Sequence, residues 1–238
     1  MQRQSNQYTF MFALAVCAIC SLAIASVSEG LKSRKELNVA LDIKKNILKA
    51  VGLKEGLPKK ATAKEVLSVY ESKIEETVID DNGEIVEAKK PGDIQEGEAL
   101  HPLYIYKESG QAVSYCFPII GKGLWSTLYG YFALEPDAMT VRGITFYKHG
   151  ETPGLGAEIE RDWFLNNFKG KKIWDVRSGA LMPTQVVKGK VAGVIPEEKQ
   201  EFYVDGISGA TITGKGVSQM VDRWVHAYEP FLKKIRKQ

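Results

Sequence analysis

LYIYKESGQAVSYCFPIIGKGLWSTLYGYFALEPDAMTVRGITFY, residues 103–147, alternates β-prone runs with turn-forming breaks. Strands are expected at residues 103–107, 112–120, 129–134 and 140–147, with breaks such as Glu108-Ser109-Gly110 and Glu135-Pro136-Asp137 between them. A further strand is expected at residues 185–194, and helices at residues 161–168 and 215–237. In the last helix Val217, Met220, Val221, Trp224, Tyr228, Phe231 and Leu232 recur at helical spacing and read as core. Strands grouped together, with helices beside them, predict an α+β domain on a mainly antiparallel sheet with packed helices.

Toward the N-terminus, the turn Asp81-Asn82-Gly83 between short β-prone runs reads as a hairpin over residues 77–87. Thr62 followed by Glu65 has the form of a capping box, opening a helix that runs to about residue 74. Residues 37–53 carry apolar side chains near helical spacing and end at Gly52, a natural helix stop. Before them, YTFMFALAVCAICSLAIASV, from Tyr8 to Val27, holds no charge. As a helix rising about 1.5 Å per residue it spans the roughly 30 Å hydrocarbon layer. An uncleaved single-pass anchor is expected, the rival being a signal peptide cleaved after the small-x-small pattern Ala23-Ile24-Ala25. The chain thus divides into an anchor at residues 1–30, a helical and hairpin lead-in at 31–100 and the main domain at 101–238.

The net charge of +3 in 238 residues is small and dispersed, which argues against a nucleic-acid partner. The basic cluster Lys233, Lys234, Arg236 and Lys237 suits the negative end of a C-terminal helix. Two of the three cysteines, Cys17 and Cys20, lie in the apolar span, leaving Cys116 alone, so neither a disulfide framework nor a metal site is predicted.

The chemistry concentrates in two loops. Asp205-Gly206-Ile207-Ser208-Gly209-Ala210-Thr211 follows the strand-like Phe202-Tyr203-Val204 and precedes the final helix. Gly206 and Gly209 remove bulk and permit unusual dihedrals, while a helix start offers unpaired amides and the positive end of a dipole; together these suit a phosphate. The other reading of the same residues is a tight turn in which Ser208 or Thr211 caps the helix. In the second loop, Glu151-Thr152-Pro153-Gly154-Leu155-Gly156, Pro153 restrains the backbone and the glycines allow a compact turn suited to a flat ring, or simply a turn without a ligand. Its glycine spacing does not fit a dinucleotide fingerprint, so NADH binding is not predicted. Trp125 has a face that could stack on an extended ring, although an indole between strands is also ordinary core. His149, alone beside its turn, reads as a surface or hydrogen-bonding residue.

Asp-x-x-Ser-Gly-Ala-Thr resembles the flavinylation motif of the FMN-binding domain family, found in the Na+-translocating NADH:quinone reductase and in Rnf-type complexes. The resemblance implies that Thr211 accepts FMN through a phosphoester, installed by an FMN transferase from FAD and Mg2+, with Asp205, Ser208, Gly209 and Ala210 as recognition positions. Thr213 falls outside the acceptor position. The stretch from Glu151 to Gly156 resembles the family's Glu-Thr-Pro-Gly-Leu-Gly loop, which implies that Glu151, Thr152, Gly154, Leu155 and Gly156 approach the flavin. Gly121-Lys122-Gly123-Leu124-Trp125-Ser126-Thr127-Leu128-Tyr129-Gly130 resembles the C-subunit family of the Na+-translocating reductase, with the G-subunit family of Rnf-type complexes as the near alternative.

What the resemblance implies is an electron carrier with one covalent FMN. It would pass electrons between redox centres of partner subunits in a complex that oxidises NADH, reduces ubiquinone and exports Na+. The flavin carries the chemistry, so no catalytic acid, base or metal is expected. The resemblance also implies a bacterial inner-membrane protein with its large domain in the periplasm. The charge pattern points the other way, because Lys32, Arg34 and Lys35 follow the span and only Arg3 precedes it. Two further readings stand beside this one: a free-standing exported flavin reductase, and a membrane-tethered structural module whose glycine motifs are turns.

Overall fold

The computed structural model describes residues 6–53 and 61–236; Arg3 and Lys237 lie outside them. The chain separates into two units, Met1–Asp42 and Ile43–Gln238. Helix α1 runs from Asn6 to Ala50. Its apolar stretch is long enough to cross a membrane, and Phe10, Leu14, Ile19, Leu22 and Ile24 are exposed along it.

In the second unit, five strands form one antiparallel sheet in chain order: β1 (Ile74–Asp80), β2 (Leu100–Glu108), β3 (Gln111–Lys122), β4 (Thr127–Leu134) and β5 (Val141–Lys148). The α+β class with a mainly antiparallel sheet is therefore as the sequence predicts. Short hairpins set the order from β2 to β5, because antiparallel strands need no crossover, while residues 81–99 lead from β1 to β2. The β1–β2 register pairs Thr77 with Leu103, and the β3–β4 register pairs Phe117 with Phe132.

Three elements differ in detail from the sequence reading. Residues 77–87 do not form a full hairpin: the return limb is a single bridge, Ile79 to Ile85, and β1 pairs with β2 instead. Residues 185–194 supply only the two-residue strand β6 (Gln185–Val186), parallel to β7 (Tyr203–Val204). Gly189 and Gly193 then turn the chain with φ near +84° and +85°. Helix α4 begins four residues earlier than predicted and spans Thr211–Ile235.

Both sheet faces are covered. α4 packs on one face through Val217, Met220, Val221, Val225, Tyr228, Phe231 and Leu232, all buried. Each contributes about 1.5–3 kcal/mol of burial, which outweighs the weak helix propensity of the Thr-Ile-Thr-Gly first turn. On β5, the Arg142 guanidinium donates to the Val51 carbonyl at 2.7 Å, and Ile47, Leu48 and Val51 are buried. Helix α2 (Ala63–Lys73) opens with the capping box that Thr62 and Glu65 predict. Cys116 is fully buried among these layers, and burial pushes its thiol pKa upward, which makes it packing rather than chemistry. The short helix α3 (Asp162–Asn166) lies within the stretch 161–168 that the sequence predicts as helical.

Candidate functional site

Three segments converge beside the start of α4. The first is the β3–β4 hairpin loop, Gly123-Leu124-Trp125-Ser126, closed by the Gly123 N–H donating to the Ser126 carbonyl at 2.8 Å. The second is the loop after β5 from His149 to Gly156, whose Pro153-containing turn is closed by the Leu155 and Ala157 amides donating to the Thr152 carbonyl. The third is the Gly209–Thr213 turn into α4, where Gly209 has φ +74°, a conformation glycine adopts without steric cost.

Between them lies a cavity of about 400 Å³. One wall is Leu124 and Trp125, another Thr152, Leu155 and Gly156, and the third the residues from Gly209 to Thr213. Leu124, Trp125, Leu155 and Ile212 are exposed apolar residues around this one opening, and Trp125 is 71% exposed. Exposed large apolar groups scattered singly need no explanation; several around one cavity mark a site for a ligand with an apolar face.

Thr211 is exposed and is the first residue of α4. The residue before it, Ala210, makes no side-chain cap, and the first helical turn carries no acidic residue. The tight turn is present, the Ala210 N–H donating to the Ile207 carbonyl at 3.1 Å, and the N-cap position falls on Ala210, not on Ser208 or Thr211. The first amides of this 25-residue helix thus receive no side-chain cap from the residue before them, an arrangement that favours an anion. On the far side of Thr211 lies a second groove of about 190 Å³, lined by Lys188, Gly206, Lys215 and Ser218 among others.

Glu151 lines the cavity but turns its carboxylate inward, and the residue is only 5% exposed. It accepts from the backbone amides of Leu124 (3.1 Å), Trp125 (3.0 Å) and Ser126 (3.2 Å), and from the Thr213 hydroxyl (2.6 Å). Burial alone would raise its pKa; the Thr213 hydroxyl and the three amides outweigh burial and hold it below the usual carboxylate range. Thr213, itself buried, has its hydroxyl committed to this carboxylate. His149 accepts the Glu151 N–H at Nδ1 (3.3 Å) and approaches Glu160 with Nε2 (3.4 Å).

Of the residues singled out in the sequence, Thr211, Gly209, Ala210, Glu151, Thr152, Leu155, Gly156 and Trp125 line the cavity together. Asp205, Ser208 and Gly154 do not line it. Asp205 lies behind the motif, accepting from the Val191 amide and Lys190. Ser208 is exposed, and Gly154 forms an open turn with φ +74°. Sequence reasoning missed Leu124 and Ile212 as wall residues and Lys188 and Lys215 as the basic lining of the second groove. For Lys215 a signal existed, since it stands one helical turn after Thr211.

A family described as FMN-binding domain matches residues 123–226. The C subunit of the Na(+)-translocating NADH-quinone reductase of Yersinia pestis is 32% identical, covering 96% of this chain and 92% of that protein. The same subunit of Pseudomonas aeruginosa is also 32% identical, covering 99% and 98%, and that of Haemophilus ducreyi is 33% identical, covering 98% and 96%. The crystal structure of the C subunit from Parabacteroides distasonis is similar with a TM-score of 0.72 at 35% identity, covering 85% of this chain and 96% of that one. That of Shewanella oneidensis NqrC follows with a TM-score of 0.69 at 26% identity, covering 83% and 97%.

Proposed function

The chain belongs to the C-subunit family of the Na+-translocating NADH-quinone reductase, and we propose from that membership that it carries one FMN on Thr211. As an FMN electron-transfer subunit it passes electrons between redox centres of partner subunits in that membrane complex. The Rnf-type G subunit and the free-standing reductase are not favoured, because full-length relatives at this identity are C subunits of the Na+-translocating reductase.

The observation that carries the attachment reading is the position of Thr211. Its exposed hydroxyl stands at the uncapped start of α4, with the apolar cavity on one side and the Lys188–Lys215 groove on the other. FMN has the matching parts, a flat apolar ring system at one end and a phosphate at the other. Leu124, Trp125, Leu155 and Ile212 suit the ring, and the first amides of α4 with the two lysines suit the phosphodiester. Thr213 is a poor acceptor because its buried hydroxyl is already donated to Glu151.

When bound, FMN supplies the electron-carrying chemistry; the chain attaches it, fixes its orientation and shields one face from water. Covalent attachment suits a domain on the periplasmic side of a bacterial inner membrane, where a dissociated flavin is not readily replaced. The α1 helix is the anchor in this reading, with the domain outside and an FMN transferase acting on it during maturation.

The test is co-expression with an FMN transferase, followed by a denaturing gel under ultraviolet light and intact mass measurement. Wild type is expected to fluoresce after denaturation and to gain the mass of one FMN less water, with both signals lost in Thr211→Val. A non-fluorescent wild-type band beside an active transferase overturns the reading.

A further inference from the structure

The hairpin loop that carries Trp125 is held by an anion that the chain supplies itself. Three successive amides, those of Leu124, Trp125 and Ser126, converge on the carboxylate of Glu151. Consecutive N–H groups pointing into one concavity form a nest for a negative charge. Glu151 fills it from a different loop, and its second oxygen also accepts from Thr213 in the first turn of α4. The two glycines nearest the carboxylate leave room for it. A Cβ at Gly123 would stand 2.6 Å from Oε1, and one at Gly156 would stand 2.8 Å from Oε2 and 2.7 Å from the Thr213 hydroxyl. A second tie runs parallel, the Gly150 N–H donating to the Ser126 hydroxyl. Among the described residues no lysine or arginine forms an ion pair with Glu151, so amide and hydroxyl dipoles alone balance its charge.

This geometry ties two cavity walls to the helix turn that bears Thr211. Trp125 is fixed through its backbone while its indole remains free to face a ligand. We propose that Glu151 is the positioning residue of the flavin site, a buried carboxylate that locks the Trp125 loop to the first turn of α4 and so sets the distance between the ring-facing wall and the attachment point. The inference rests on the reading that the flavin is carried on Thr211, and it has a part that can be checked without any flavin. Because the charge stays next to the cavity, it also opposes electron uptake by a ring placed there.

The experiment compares the full-length chain with Glu151→Gln, Glu151→Ala and Thr213→Val in detergent. In the unflavinylated proteins, amide hydrogen exchange is followed at Leu124, Trp125 and Ser126. Glutamine keeps one acceptor for Trp125 and Ser126 but presents an NH2 to Leu124. Glu151→Gln is therefore expected to speed exchange selectively at Leu124, by about tenfold or more, and Glu151→Ala to speed it at all three. In the flavinylated proteins, Glu151→Gln is expected to raise the flavin midpoint potential, and Glu151→Ala to alter the visible circular dichroism of the flavin as well. Thr213→Val is expected to change the circular dichroism while leaving Trp125 and Ser126 protected. Wild-type exchange at all three amides in both Glu151 variants overturns the proposal. So does a midpoint potential and circular dichroism unchanged in both flavinylated variants. If Glu151→Ala fails to fold, Glu151→Gln and Thr213→Val still decide it. If wild type takes up no FMN, the attachment reading falls while the exchange data still report whether the clamp exists.

Discussion

Asp205 and Val191 are joined by a hydrogen bond in which the Val191 N–H donates to the Asp205 carboxylate at 2.8 Å. The bond pins the turn after β6 against the back of the Asp205–Thr211 motif, and the Gly206 N–H donating to the Gly189 carbonyl at 2.7 Å reinforces it. Asp205 therefore shapes the loop from behind, so its removal loosens the segment that presents Thr211. Asp205→Ala is expected to cost about 1–2 kcal/mol, with Asp205→Asn costing less because the amide oxygen still accepts from Val191. Thermal melting of the two variants checks this, and equal costs for both would show that the acceptor is not what matters.

The same residue makes a pH prediction. Lys190 first and the Val191 amide second lower the Asp205 pKa below its ordinary 3.8. A carboxylate with a folded pKa below its unfolded value contributes stability that is present above the unfolded pKa and is lost as pH falls through the folded one. Lys190 is 76% exposed, so solvent screens the ion pair and most of the contribution comes from the amide. The stability gap between wild type and Asp205→Asn is expected to hold from neutral pH to about pH 5 and to narrow below 3.8. Urea melts across that range measure it; a gap that widens in acid would contradict the assignment.

Tyr228 of α4 is fully buried, stacked on Phe117 of β3 with centroids 4.1 Å apart, and its hydroxyl donates to the Pro102 carbonyl of β2. The ring and the hydroxyl are separable. Tyr228→Phe removes only the hydrogen bond and is expected to cost about 1 kcal/mol, whereas Tyr228→Ala also empties the ring's space and is expected to cost about 3–5 kcal/mol. Denaturant titration distinguishes them, and similar losses would place the stabilisation in the hydroxyl alone.

Strands β2 to β5 were legible because their hairpins are local: turn residues between β2 and β3 and between β4 and β5 announce themselves within a few positions, whereas β1 reaches its partner β2 only across residues 81–99. Residues 185–194 misled because their valines have β propensity, while Gly189 and Gly193 enforce turns that only the docking of β6 on β7 explains. The start of α4 was hidden for the opposite reason. Thr211, Ile212, Thr213 and Gly214 are weak helix formers, and the first turn exists because Thr213, Gly214 and Gly216 are buried against the strands and loops beside it. The turn before α4 was readable in the sequence, yet nothing in sequence spacing reveals that Glu151 faces inward or that Leu124 and Ile212 share one cavity with Thr211. Those are properties of three distant segments meeting.

Trp125 separates packing from ligand contact. Its indole is largely exposed, so Trp125→Ala is expected to change stability by no more than about 0.5 kcal/mol. In the flavinylated protein the same substitution is expected to brighten flavin fluorescence, since a neighbouring indole quenches it by electron transfer. Thermal melting and fluorescence lifetime on one sample test both halves. Unchanged lifetime with unchanged stability would remove Trp125 from the flavin's surroundings.

Lys188 and Lys215 line the groove on the other side of Thr211, and both are exposed. Without a phosphodiester they lie near the positive end of α4, where cations are unfavourable. With one attached, each supplies a cation to an anion held by the helix amides. Flavinylation is therefore expected to raise the melting temperature of wild type, and the rise is expected to shrink in a Lys188→Ala, Lys215→Ala double variant whose unflavinylated form melts no lower than wild type. The gain should also decline with added salt in wild type and respond less in the double variant, since exposed charges are screened over about 10 Å at 0.1 M. Equal gains at every salt concentration would mean that the phosphate leaves this groove empty and rests on the helix amides alone.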